Sequence, residues 1–114
     1  RWKVCVLVAI EGMYPSRAYD YYLSTWDEYT QLLNDTDIHY AIDLSHLNIL
    51  RHKSRFYDTE LVRALLSNPR CIEVHLSGND GLHDQHQQIH EVPHWLSDIA
   101  HIHSNSVIFT ESLQ

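Results

Sequence analysis

The sequence predicts one α/β domain built on a parallel β-sheet, from three observations. Apolar stretches rich in Val and Ile recur along the chain, as in strands that are buried on both faces of a parallel sheet. Segments with apolar side chains three and four residues apart lie between them, which is typical of amphipathic helices. No linker or change of composition interrupts the 114 residues, which are enough for one core and too few for two. We therefore expect a single domain over residues 1–114.

The first half of the chain predicts two strands and one helix. Residues 4–10 (VCVLVAI) form a continuous apolar run and predict the first strand. Residues 15–34 carry aromatic and leucine side chains at helical spacing, and Pro15 is acceptable in a first turn. Residues 39–44 (HYAIDL) predict the second strand, and the polar, basic residues 47–57 predict a loop.

The second half continues the alternation of strands and helices. Residues 58–67 predict a helix that Asp58 or Thr59 can cap, and residues 71–76 (CIEVHL) predict the third strand. A long polar loop is expected over residues 77–88, a shorter helix over 92–101 and the fourth strand over 106–110. Such an order favours a parallel sheet with right-handed crossovers.

Composition excludes some classes of protein. The formal net charge is −7, from 15 acidic and 8 basic residues, which disfavours a nucleic acid as the partner. No apolar run approaches the roughly 20 residues of a membrane span. Cys5 and Cys71 lie within apolar runs and are expected to be buried, reduced thiols. Because we find no secretory signal, we expect a cytoplasmic protein.

Ionisable residues recur at the predicted strands. Glu11, Asp43 and Glu111 lie at strand ends, and His75 lies within the third strand. The successive intervals are 32, 32 and 36 residues, which match a repeating strand–helix unit. Since the carboxyl ends of parallel strands meet at one edge of the sheet, these side chains are expected to converge. The alternative is that each strand-end carboxylate only caps a helix or accepts loop hydrogen bonds.

Three carboxylates and one imidazole form a nitrogen and oxygen ligand set, which suits Mn, Zn, Fe, Co or Mg. A divalent cation would relieve the repulsion among the carboxylates. Further candidates follow the second and third strands. The candidates exceed the ligand shell of one ion and could hold two or three, so we expect between one and three ions. The seven candidate metal ligands are Glu11, Asp43, His46, His75, Asp84, His86 and Glu111.

The order and spacing of these residues resemble the C-terminal half of the xylose isomerase-like TIM-barrel superfamily. Residues 72–86 (IEVHLSGNDGLHDQH) are the most specific part of the resemblance, followed by residues 107–112 (VIFTES). The resemblance implies half, or a fragment, of a (β/α)8 barrel. A complete barrel needs about 250 residues, so a second chain or a second copy is expected to complete it.

The resemblance also implies roles for individual residues. The two glutamates, Glu11 and Glu111, would exchange a proton with the substrate as well as bind metal. His46 matches a substrate-contacting or second-metal histidine, and Asp84 and His86 match an additional metal pair of endonuclease-like members. The four residues that match the single-metal site of epimerase-like members are Glu11, Asp43, His75 and Glu111.

Several functions remain open at this point. We favour a metal-dependent isomerase or epimerase that acts on a sugar or sugar phosphate by proton transfer, with Arg51, Lys53 and Arg55 available for a phosphate. One alternative is an endonuclease IV-like phosphodiesterase that acts on abasic DNA. Another is a peptide-modifying oxidase with several irons, although His46 stands where that branch usually has asparagine. The last is a non-catalytic barrel fragment.

Overall fold

A four-stranded, all-parallel sheet organises the chain, and its strands follow the order of the sequence, β1-β2-β3-β4. The computed structural model describes residues 8–16, 22–89 and 92–110. The α/β class and the parallel sheet are therefore confirmed. The strands are β1 at Ala9–Glu11, β2 at His39–Asp43, β3 at Cys71–Leu76 and β4 at Val107–Thr110.

Four helical elements connect these strands. We number the three α-helices α1 to α3, and the fourth element is a 3-10 helix. None of the helices within the described residues is both long enough and apolar enough to span a membrane. The elements are α1 at Trp26–Asp35, α2 at Leu44–Ser54, α3 at Thr59–Ser67 and the 3-10 helix at Leu96–His101.

Helix α1 begins later than the helix predicted over residues 15–34. A capping box defines its start, because Thr25 Oγ1 accepts a hydrogen bond from the Glu28 backbone N–H at 3.2 Å. The Glu28 carboxylate in turn accepts hydrogen bonds from the backbone N–H groups of Leu23 and Ser24. Residues 22–25 are consequently non-helical.

The prediction of a loop over residues 47–57 is wrong, because most of this segment lies in helix α2. Asp43 caps the helix, and Leu44, Leu47 and Leu50 are buried at intervals of three residues. The polar residues between these leucines obscure the helical pattern in the sequence. The helix ends at Arg55, which adopts a left-handed conformation with φ 55°.

The first strand is predicted over residues 4–10, of which residues 4–7 lie outside the described residues, and β1 extends one residue further, to Glu11. The elements after α2 agree more closely with their predicted ranges. Helix α3 and strands β3 and β4 follow the predicted ranges to within a residue. The helix predicted over residues 92–101 is a shorter 3-10 helix. It is joined to the rest of the chain through the buried Asp98, which accepts hydrogen bonds from the Tyr57 hydroxyl at 2.8 Å and from Arg63 Nε at 2.9 Å.

The two faces of the sheet have different environments. Tyr40, Ile42 and Val74 are buried in the apolar core with side chains from the helices. Cys71 is a buried free thiol, as expected, and burial raises its pKa to about 11, while Cys5 lies outside the described residues. Side chains alternate between faces along a strand, so Asp43 and His75 project from the face opposite Ile42 and Val74. Glu11, Asp43 and His75 therefore share the face of the sheet opposite Ile42 and Val74.

Arg70 caps the C-terminal end of α1. Its guanidinium donates hydrogen bonds to the carbonyls of Thr36 at 2.6 Å and Leu33 at 2.7 Å, which the helix itself cannot satisfy. We predict that Arg70→Ala lowers the free energy of unfolding, measured by urea titration, by about 1–3 kcal/mol. Arg55→Ala is the control, because the Arg55 side chain is exposed and its guanidinium forms no hydrogen bond with a described residue. Equal losses in the two variants would contradict this role.

Candidate metal centre

Three residues from three neighbouring strands meet on the polar face of the sheet. Glu11, Asp43 and His75 each offer one ligand atom, and these atoms lie within 4.8 Å of one another. We call these three residues the first group. Their exposure differs widely, since the side chains of Asp43, His75 and Glu11 are 1%, 13% and 46% exposed. The group is thus buried at Asp43 and open to solvent at Glu11.

Asp43 uses its two carboxylate oxygens differently. Oδ1 accepts hydrogen bonds from the backbone N–H groups of Ser45 and His46 and from the Ser45 hydroxyl, and so caps helix α2. Oδ2 is buried and accepts no hydrogen bond from any residue that the structure describes. Helix capping and metal binding are therefore compatible at Asp43. The cap holds one oxygen and leaves the other available as a ligand.

His46 lies in the first turn of α2 and is buried. Its Nδ1 donates a hydrogen bond to the Gly12 carbonyl at 2.8 Å, which puts the proton of a neutral imidazole on Nδ1. Nε2 then presents its lone pair to Asp84 Oδ2 at 3.2 Å and Asp43 Oδ2 at 3.4 Å. A lone pair facing two carboxylates is repulsive unless a proton or a metal cation lies between them.

His75 shows a similar arrangement, with a residue that the sequence analysis did not select. Its Nε2 lies 3.1 Å from Glu73 Oε2, while its Nδ1 lies 3.6 Å from Glu11 Oε1. A carboxylate that accepts the proton of one ring nitrogen directs the other nitrogen towards a metal. The signal was present in the sequence, because residues two apart on a strand share a face.

The segment over residues 77–89 places Asp84 near His46, and His86 near Asp84. Gly78 and Gln87 form an antiparallel bridge that closes this segment. The Asn79 side chain joins it to α2, because it donates to the Ser45 carbonyl and accepts from Asn48, both at 2.8 Å. No periodicity in the sequence could show this closure.

Asp84 connects the closed segment to helix α2. Its Oδ2 lies 3.2 Å from His46 Nε2, and its Oδ1 lies 3.2 Å from His86 Nε2. We call His46, Asp84 and His86 the second group. It adjoins the first group through Asp43, whose Oδ2 lies near His46.

Gly12, which follows Glu11, permits close contact between the backbone and the side chain of Tyr29. A Cβ at this position would lie 2.3 Å from the hydroxyl oxygen of the buried Tyr29, so a larger residue would displace one of them. Burial raises the pKa of the Tyr29 hydroxyl well above its ordinary value, and the charges of Asp43 and Glu11 raise it further.

The structure brings six of the seven candidate ligands into these two adjoining groups. Glu111, the seventh candidate and the second predicted proton carrier, lies outside the described residues. The three positively charged candidates for phosphate binding, Arg51, Lys53 and Arg55, lie in α2 or at its C-terminal end and not in a loop. The six residues brought together are Glu11, Asp43, His46, His75, Asp84 and His86.

The donor set fits a divalent cation. It combines carboxylate oxygens with two imidazole nitrogens whose second nitrogens are held by the Gly12 carbonyl and by Glu73. Asp43 Oδ2, a buried and otherwise unsatisfied oxygen, lies between the two groups. No thiolate takes part, which favours Mn, Zn, Fe, Co or Mg.

Comparisons with protein-family models, with curated proteins and with solved structures give no significant match.

We predict that Asp43→Asn removes bound metal while the fold persists. Asparagine retains a capping oxygen for α2 but replaces the ionised ligand oxygen with an amide. Elemental analysis after equilibration with Mn²⁺ or Zn²⁺ should show at least a tenfold lower content, on the order expected for a lost ligand. Circular dichroism should remain that of the unsubstituted protein.

The matched control for this experiment is Asp58→Asn. Asp58 also caps a helix, because its carboxylate accepts a hydrogen bond from the Leu61 backbone N–H at 3.1 Å, but it is not part of either group. Its variant should retain metal. An unchanged metal content in Asp43→Asn would show that the centre is wrongly assigned.

Glu73 is predicted to act through His75. Glu73→Ala removes the acceptor that orients the imidazole, so metal affinity should fall by about 10–100-fold without complete loss. Competition with a chelating dye would measure this affinity. Glu60→Ala, on the exposed first turn of α3, provides the control and should leave affinity unchanged. Equal affinities in the two variants would exclude the orienting role.

Proposed function

We propose that this chain is a divalent-metal-dependent enzyme that transfers a proton to or from a sugar or sugar phosphate, as an isomerase or epimerase does. The observation that carries the proposal is the contrast within the first group. Asp43 and His75 are largely buried, whereas the Glu11 side chain is 46% exposed. A carboxylate that adjoins metal ligands and also reaches solvent is suited to remove a proton from a bound substrate.

The residues of the two groups have different roles in metal binding and proton transfer. Asp43 and His75 hold their ligand atoms in a fixed geometry, because the α2 cap and Glu73 orient them. A bound divalent cation would polarise the substrate oxygens and so acidify the adjacent carbon. Glu11 takes the proton from that carbon, and Glu111 is proposed to return it. His46 contacts the substrate or contributes to a second ion.

We further propose that the parallel sheet is half of a TIM barrel that a second chain or a second copy completes. In the described part of the chain, β1 and β4 form the two edges of the sheet. Val107 and Phe109 of β4 are 51% and 44% exposed, and by strand register they share the face of Glu73 and His75. An exposed apolar edge beside a polar centre is the surface on which further strands would pack.

A second candidate is hydrolysis of a phosphodiester by two ions, as in endonuclease IV-like proteins. The second group favours it, because His46, Asp84 and His86 supply ligands next to the first group. Two metals about 3.5–4 Å apart can stabilise both the attacking and the leaving oxygen of such a reaction. The net charge of −7 disfavours DNA as the substrate of this chain alone.

We predict that Glu11→Gln greatly slows proton exchange and largely preserves the fold. The wild-type chain, loaded with Mn²⁺ and incubated with a panel of aldoses, ketoses and their phosphates in D₂O, should exchange the hydrogen next to the carbonyl carbon. Proton NMR measures this exchange. The Gln side chain cannot accept the proton, so the rate should fall by about 10²–10⁴-fold, and a chelator should abolish the exchange.

The matched control is Glu60→Gln, which changes an exposed glutamate of α3 in the same way and should leave the exchange rate unaltered. Absence of exchange with every sugar would overturn the isomerase proposal. Cleavage of abasic DNA, combined with two ions per chain in elemental analysis, would then establish the second candidate.

A further inference from the structure

A polar cavity of about 440 Å³ lies beside the metal centre but is separate from it. Its walls come from α2, from the segment after β3 and from residues 92–95. None of the six candidate ligands brought together above lines it. The cavity therefore needs an explanation other than metal binding, and its size falls within the range of small-molecule sites.

Arg51 gives this cavity its positive charge. Its guanidinium forms no hydrogen bond or ion pair with any residue of the described ranges. Asp80 is the acidic side chain among the lining residues, but its own turn already engages both its oxygens. Oδ1 accepts from the Leu82 and His83 backbone N–H groups, and Oδ2 lies 3.0 Å from His83 Nδ1. Among the described residues, no carboxylate pairs with Arg51.

Neutral hydrogen-bonding groups line the cavity together with Arg51. Ser77 lines the cavity and is buried, and its hydroxyl oxygen has no hydrogen-bond partner among the described residues. Burial, together with the positive charge of Arg51, lowers the pKa of His94 to about 4. His94 is therefore neutral at pH 7 and can donate one N–H group. These groups suit an acceptor with several oxygens.

Apolar side chains form the remaining wall. Trp95 is 3% exposed, and Pro93 and Ile89 lie beside it in the lining. An inorganic anion would leave this surface unused, whereas an organic phosphate or carboxylate would cover it. We propose that the cavity binds a small organic oxyanion, whose charged oxygens pair with Arg51 and whose carbon skeleton lies against Trp95.

The proposal is tested by NMR of the ¹⁵N-labelled full chain, from which metal ions and then the chelator have been removed by dialysis into metal-free buffer, so that neither bound metal nor chelator competes for the titrated anion. Glycerol 3-phosphate, inorganic phosphate and acetate are titrated separately at constant ionic strength. The Trp95 indole and Ser77 amide signals should shift saturably with glycerol 3-phosphate. Weaker saturation with inorganic phosphate would support the role of the carbon skeleton, and a comparable response to acetate would identify a carboxylate site.

Arg51→Gln should weaken this binding at least about tenfold, because a charged hydrogen-bond donor is lost. Lys53→Gln is the matched control, since Lys53 lies two residues further along α2 and does not line the cavity. Ser77→Ala, a second variant, should weaken binding by about 2–10-fold. No saturable shift with any anion, or equal affinity in Arg51→Gln and Lys53→Gln, would overturn the proposal. Neither result depends on metal binding or on enzymatic activity.

Discussion

The carboxylate of Asp43 links the fold to the candidate metal centre. One oxygen caps α2, and this cap fixes the direction in which the helix leaves strand β2. The other oxygen is thereby held between the first and second groups, where it accepts no hydrogen bond from a described residue. Because His46 lies in the first turn of the same helix, its position follows from the same cap. The Asp43 side chain therefore both caps helix α2 and determines where two of the candidate ligands, Asp43 Oδ2 and His46, lie.

Electrostatics gives the centre its chemical character. One ring nitrogen of His46 and one of His75 face carboxylate oxygens, while a backbone carbonyl and Glu73 lie at the opposite ring nitrogens. Such an arrangement costs free energy in the absence of a proton or a metal cation, because like partial charges are then held together in a partly buried place. A site with its ligands already oriented pays little further cost when a metal binds, which is the usual advantage of preorganisation.

The segment over residues 77–89 contributes residues both to the second group and to the cavity that contains Arg51. Asn79 and the Gly78–Gln87 bridge hold it against α2, and Gly81 allows close contact, since a Cβ there would lie 2.1 Å from the His52 ring. Asp84 and His86 of this segment belong to the second group, whereas other residues of the same segment line the cavity that contains Arg51. The second group and the cavity that contains Arg51 are thus neighbours to which the same loop and the same helix contribute.

The sequence by itself determined the parallel sheet and the convergence of Glu11, Asp43 and His75. Apolar runs identify strands that are buried on both faces, and parallel strands bring their carboxyl ends to one edge. Only the tertiary structure decided that residues 44–54 form a helix and that Glu73 orients His75. It also decided which Asp43 oxygen faces the centre. These features depend on contacts between segments that are distant in sequence, and the closure of residues 77–89 has no periodic pattern from which it could be predicted.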